Sequence, residues 1–134
     1  MDCHLDSGFG STQYLRAVID RASRDRVPMG GAFDLTYRCN YRCVHCYVGH
    51  LTSEKRSAAG ELTTRQVLDL LSQTADAGCL TMLLSGGEPL LREDFVQIYT
   101  AARRFGMLVS VFTNASLLDE AHLDAFQEYP PELV

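Results

Sequence analysis

A chain of 134 residues, 46% apolar and 22% charged, has room for one domain with a real core, and intrinsic disorder is not the starting expectation. Its net charge of −5, from 12 basic and 17 acidic side chains, argues against a nucleic-acid-binding surface. No apolar run nears the roughly 20 residues that span a bilayer, and Met1 to Asp6 lacks the basic and apolar regions of a secretory signal; neither nucleic acid nor membrane is an expected partner.

Residues 1–11 are polar and Gly/Ser-rich and are expected to fray. Leu15, Val18, Ile19 and Ala22 then recur at the spacing of one helical face, with Arg16, Asp20 and Arg24 as a charge ladder opposite. Pro28, Gly30 and Gly31 are expected to end this helix. Ala32 to Tyr37 alternates as a short strand. The cysteine cluster follows at once, and residues 47–60 read as a loop.

A helix-plus-strand pattern then occurs twice. Thr63 with Gln66 makes a capping box ahead of Val67, Leu70, Leu71 and Thr74; Gly78 stops that helix, and Leu80 to Ser85 is a strand. Phe95, Ile98, Tyr99, Ala102 and Phe105 form the next apolar face, Gly106 stops it, and Leu108 to Thr113 is the third strand. Asp119 caps a last helix through Leu123 and Phe126, the Pro130-Pro131 pair ends it, and Glu132 to Val134 begins a fourth strand. Strands alternating with helices imply a parallel α/β sheet with right-handed crossovers and cover on both faces. Three strands with a fourth barely started make an open sheet, the front of a larger barrel or half-barrel. The expected division is 1–31, tail and helix, and 32–134, the sheet.

Three sequence features carry chemistry. Cys39, Cys43 and Cys46 stand in C-x3-C-x2-C spacing after the first strand. Without a secretion signal, clustered cysteines read as metal or redox groups in a reducing cytoplasm. Thiolates so close together suit an iron–sulfur cluster, with one iron open, or zinc with a fourth ligand recruited from His45, His50, Cys79 or Cys3. Ser85-Gly86-Gly87-Glu88-Pro89 follows the second strand: the glycines permit close backbone approach, Glu88 offers an acceptor suited to an ammonium group, and Pro89 stiffens the exit. Thr113-Asn114 follows the third. All three lie at carboxyl ends of consecutive strands, one shared rim, where parallel α/β folds bind ligands. Cys79 is expected as a core thiol, and His4, His50 and His122 as surface residues.

The cysteine spacing in Arg38 to Tyr47, with Ser85 through Arg92 (SGGEPLLR) and Phe112-Thr113-Asn114, resembles the radical S-adenosylmethionine (SAM) superfamily, over about Ala32 to Val134. The likeness is to the branch with peptide-modifying maturases and haem-pathway enzymes, which often carry a further SPASM or twitch region. The resemblance implies an α/β partial (β/α) barrel preceded by an N-terminal helix. It implies a [4Fe-4S] cluster on Cys39, Cys43 and Cys46, and SAM chelating the open iron. The methionyl amine would sit at Gly86, Gly87, Glu88 and Pro89, with Thr113 and Asn114 on the rim and reductive cleavage giving a 5′-deoxyadenosyl radical. It also implies an electron donor such as flavodoxin or ferredoxin. His45 stands where the superfamily often has Phe, Tyr or Trp, a flat ring beside the cofactor that packs in the loop. The family core has about six strand–helix units, and the later ones are not in this sequence. Two functional classes follow: an enzyme, or the cluster-bearing part of one completed by a complementary chain or longer parent, and a truncated relict that holds a cluster or zinc and turns over nothing.

Overall fold

The computed structural model describes residues 11–48 and 60–134. The expected fray at the start, most of the 47–60 loop, and Cys3, His4, His50, Lys55 and Arg56 lie outside the described residues. The elements run α1 (Ser11–Asp25), β1 (Gly30–Asp34), α2 (Thr64–Asp76), β2 (Thr81–Ser85), a single 3-10 turn (Pro89–Leu91), α3 (Phe95–Arg104), β3 (Leu108–Val111) and α4 (Glu120–Glu128). β1, β2 and β3 form one parallel sheet in chain order, registered Ala32 to Leu83 to Ser110. The fourth strand is begun: Ser110 bridges Leu133 in parallel, with Glu132 N donating to Val109 O and Val111 N donating to Leu133 O, each at 2.8 Å. The α/β reading and the partial parallel barrel therefore stand.

Residues alternate along β2 and β3, so Met82, Leu84, Val109 and Val111 turn one way and are buried with the helices. Val67 and Leu71 of α2, Phe95, Ile98, Tyr99 and Ala102 of α3, and Ala125 of α4 complete this core. Each such large side chain withdrawn from water stabilises the fold by about 1.5–3 kcal/mol. On the opposite face Ala32 is exposed and Leu83 and Ser110 only partly buried, so among the described residues helices cover one face, not the two expected.

Local signals set the element ends. Thr63 caps α2, its hydroxyl accepting from Gln66 N while Gln66 Oε1 accepts from Thr63 N, the capping box expected. Asp119 caps α4 by accepting from His122 N. Cys79 is buried, its thiol donating to Thr81 O at 3.2 Å, and burial pushes its pKa up, as for a core thiol.

Four further expectations need correction. β1 runs from Gly30 to Asp34, not from Ala32 to Tyr37: pairing of Gly30 and Gly31 with Thr81 and Met82 overrides the weak strand preference of glycine. The α1 face is largely uncovered, with Ala22 buried but Leu15 and Ile19 exposed, and its ion pair is Arg21–Asp25 at 3.6 Å, a step around the helix from the expected ladder. Leu70, Phe105 and Leu123, counted on apolar faces, lie at the exposed margins of theirs. His122 is buried, not a surface residue: its Nδ1 lies 2.6 Å from Asp119 Oδ1 and its ring packs on Phe95 with centroids 5.7 Å apart.

Candidate functional site

Beyond Asp34 the chain leaves regular strand but stays bonded to its neighbour. Leu35 N donates to Ser85 O at 2.9 Å, Gly87 N to Thr36 O and Glu88 N to Arg38 O, both at 2.8 Å. The first cysteine loop and the Gly86–Pro89 turn are thus backbone partners. That contact is why the turn needs its glycines. Gly86 has φ +140°, and a Cβ there would lie 2.3 Å from Thr36 O; one on Gly87 would lie 2.3 Å from Arg38 O and 3.0 Å from Cys39 Cβ. The close approach these glycines make here is to the cysteine loop itself.

Cys39 is buried, Cys46 partly so and Cys43 exposed, with Cys46 N donating to Cys43 O at 3.2 Å to turn the loop. His45 is exposed. At the loop's far end the Tyr47 hydroxyl meets Ser85 Oγ at 2.5 Å. Among the described residues no three of His, Cys, Asp and Glu stand together as ligands of one ion. Three cysteines on one rim loop are a donor set of the kind that iron–sulfur clusters and zinc both take.

Glu88 is wholly buried. Oε1 accepts from Leu90 N at 3.0 Å and Thr113 Oγ1 at 2.7 Å, and Oε2 from Asn114 N at 2.8 Å. Its carboxylate ties the turn to the end of β3. Three of the roughly four acceptor sites of the carboxylate are thus taken within the fold. Pro89 is buried at the start of the 3-10 turn that Glu88 caps. Gly86, Gly87, Phe112, Thr113, Asn114 and Tyr47 line an open cavity of about 390 Å³. A larger concavity of about 580 Å³ follows the outer edge of β1 by Phe33, Tyr37, Glu61 and Leu70, but holds none of the predicted site residues.

Beneath the rim lies an ion-pair cluster. Glu61 accepts from Thr36 Oγ1 and from Arg38 Nε at 3.0 Å, and lies 3.7 Å from Arg92 Nη1. Arg92 forks onto Asp94 at 2.8 and 2.6 Å and donates to Leu35 O and Leu62 O at 3.2 and 3.1 Å. Burial pulls the Glu61 carboxyl up, but bonds from Arg38 and Thr36 and the two guanidinium charges outweigh it and hold the pKa below the usual carboxylate range. Asp94 is held low likewise, burial being outweighed by bonds from Arg92 and Thr64 and by the Arg92 charge.

The structure thus joins Cys39, Gly86, Gly87, Glu88, Pro89, Thr113 and Asn114 in one contiguous rim and leaves His45 at its outer surface. Sequence reasoning quoted Arg38, Asn40, Tyr47 and Arg92 within the motifs but gave them no role, and passed over Glu61. A polar residue inside the cysteine spacing and an arginine closing SGGEPLLR were the available signals; Glu61 had none, because its partners are remote in sequence.

A cysteine-bearing loop and a glycine turn interlocked at the carboxyl rim of a parallel sheet define an α/β half-barrel with its candidate site at that rim. The Radical SAM superfamily model matches residues 33–134, and the chain belongs to that superfamily. It is 38% identical over 98 residues to the PqqA peptide cyclase of Gluconobacter oxydans, covering 73% of this chain and 26% of that protein. It is 36% identical over 97 residues to the Fe-coproporphyrin III synthase of Methanosarcina barkeri, covering 72% and 23%. These relatives come from the branch that the motifs resemble. The chain spans about a quarter of their length. In structure it is similar to Streptococcus suis SuiB bound to S-adenosylmethionine, with TM-score 0.64 and 18% identity over 88% of this chain and 28% of that one. SuiB bound to its precursor peptide SuiA gives TM-score 0.65 and 17% identity over 94% and 29%. No helix among the described residues is long and apolar enough to cross a membrane.

Proposed function

We propose that residues 32–134 are the first half of a radical-SAM core, in which Cys39, Cys43 and Cys46 hold a [4Fe-4S] cluster and the Gly86–Pro89 turn holds the methionyl amine of SAM. The observation that carries this reading is the interlock of the two motifs: the turn's amides at Gly87 and Glu88 bond the backbone leading into Cys39. A bound cluster, once reduced, supplies the electron for cleaving SAM to methionine and a 5′-deoxyadenosyl radical.

This chain's residues position and shield. The Gly86–Pro89 turn would hold the amine, and Glu88 fixes that turn to the end of β3 by accepting from Thr113 and Asn114. Tyr47, Thr113 and Asn114 wall the cavity that would take the rest of SAM. The substrate class is a peptide or small metabolite; a PqqA peptide cyclase among the similar proteins supports the first and an Fe-coproporphyrin III synthase the second. The remaining strands come from a complementary chain or a longer parent, the electron from a flavodoxin- or ferredoxin-type donor, and the setting is cytoplasmic.

The test is anaerobic reconstitution with iron and sulfide, then electron paramagnetic resonance of the reduced protein with and without SAM. A [4Fe-4S] signal that shifts with SAM is expected. Zinc retained with no cluster formed would overturn the reading and favour a non-catalytic relict.

A further inference from the structure

The cysteine loop is also fastened by Asn40, a side chain to which the proposed chemistry gives no role. Asn40, directly after Cys39, donates from Nδ2 to Ser116 Oγ and accepts at Oδ1 from Asn114 Nδ2, both at 2.9 Å. Asn114 Oδ1 accepts from the Ser116 amide at 3.0 Å and from its hydroxyl at 2.6 Å. The Asn114 amide donates to the buried Glu88 carboxylate at 2.8 Å. One chain of hydrogen bonds therefore runs from inside the cysteine spacing, across the end of β3, to the carboxylate that holds the Gly86–Pro89 turn. A primary amide suits its head, because the position must donate and accept at once.

We propose that Asn40 is a positioning residue that sets the thiolate loop in register with the amine-binding turn, through Asn114 and Glu88. The inference deepens the function proposed above and rests on it. Asn40 is not needed to keep the loop attached. Tyr47 bonds Ser85 at the other end, and Thr36 and Arg38 bond the turn through their backbone. Its removal therefore loosens the register and leaves the core intact.

The experiment compares wild type with Asn40→Ala, Asn40→Asp, Asn114→Ala and the double alanine variant, in two states. In the metal-free proteins, amide exchange of residues 39–46 is expected to quicken about tenfold in Asn40→Ala with helix exchange unchanged, the size expected for two lost, partly exposed hydrogen bonds. After reconstitution, iron and sulfide content is expected to match wild type, while half-saturation of the SAM-induced spectral shift rises about tenfold. The double variant is expected to be no worse than the poorer single one, because the two residues act as one link. Asn40→Asp, which keeps the acceptor for Asn114, falls between. Unchanged loop exchange in metal-free Asn40→Ala, or single losses that simply add, overturns the proposal. If wild type forms no cluster or shows no SAM shift, the functional reading fails, and the metal-free exchange still decides the positioning role.

Discussion

At Gly87 the whole site turns on one missing methyl group. A Cβ there would stand 2.3 Å from Arg38 O, a backbone atom that cannot swing aside. Gly87→Ala is expected to destabilise the fold by about 3 kcal/mol, read from urea unfolding. A loss within measurement error would mean that the cysteine loop yields freely. Glu88→Gln makes a different test. It replaces one acceptor oxygen by a donor facing Leu90 N and Thr113 Oγ1, or Asn114 N. About 2 kcal/mol of lost stability is expected, the cost of a buried group left unmatched. At this scale much of the site was legible: cysteines at fixed spacing and a double glycine before an acid are rare enough to stand out. The part Glu88 plays was not, since three donors from two segments had to be folded onto it before its lone pairs could be counted.

Among the elements, the clearest signals were those whose cause is local. Thr63 and Gln66 cap α2 because both halves of the box lie within one turn. Thr63→Ala is expected to cost about 1 kcal/mol, measured as a lowered unfolding midpoint. The start of β1 and the burial of His122 were missed because strand pairing and a phenylalanine on α3 decide them. The ion pairs linking Arg38, Glu61, Arg92 and Asp94, with the Thr36 hydroxyl donating to Glu61, are likewise products of folding. Glu61 and Asp94 titrate below their ordinary values of 4.5 and 3.8. A carboxyl depressed in the folded state adds stability above its unfolded pKa and loses it as pH falls through its folded one. Urea midpoints are therefore expected to drop as pH falls from about 5 to about 3 and below, and to drop less in Asp94→Asn. An identical drop in that variant would locate the acid sensitivity elsewhere.

For the molecule as a whole, the sheet is closed by helices on one face and its outer margin at Leu133 and Val134 is more than half exposed. Expressed as these 134 residues, the protein is expected to self-associate through that margin, and Leu133→Lys to shift sedimentation toward monomer. A monomeric wild type would show that this edge is not adhesive.

The interlock of loop and turn also has a consequence in time. Cys39 to Cys46 leave the ribosome well before Gly87 and Asn114, the residues that bond the loop into shape. For that interval the three thiols belong to an unformed chain, open to oxidation or to a stray metal. On the function proposed above, loading of a cluster belongs after β3 has joined the sheet, and the order in which the chain is made sets when it becomes competent to receive one.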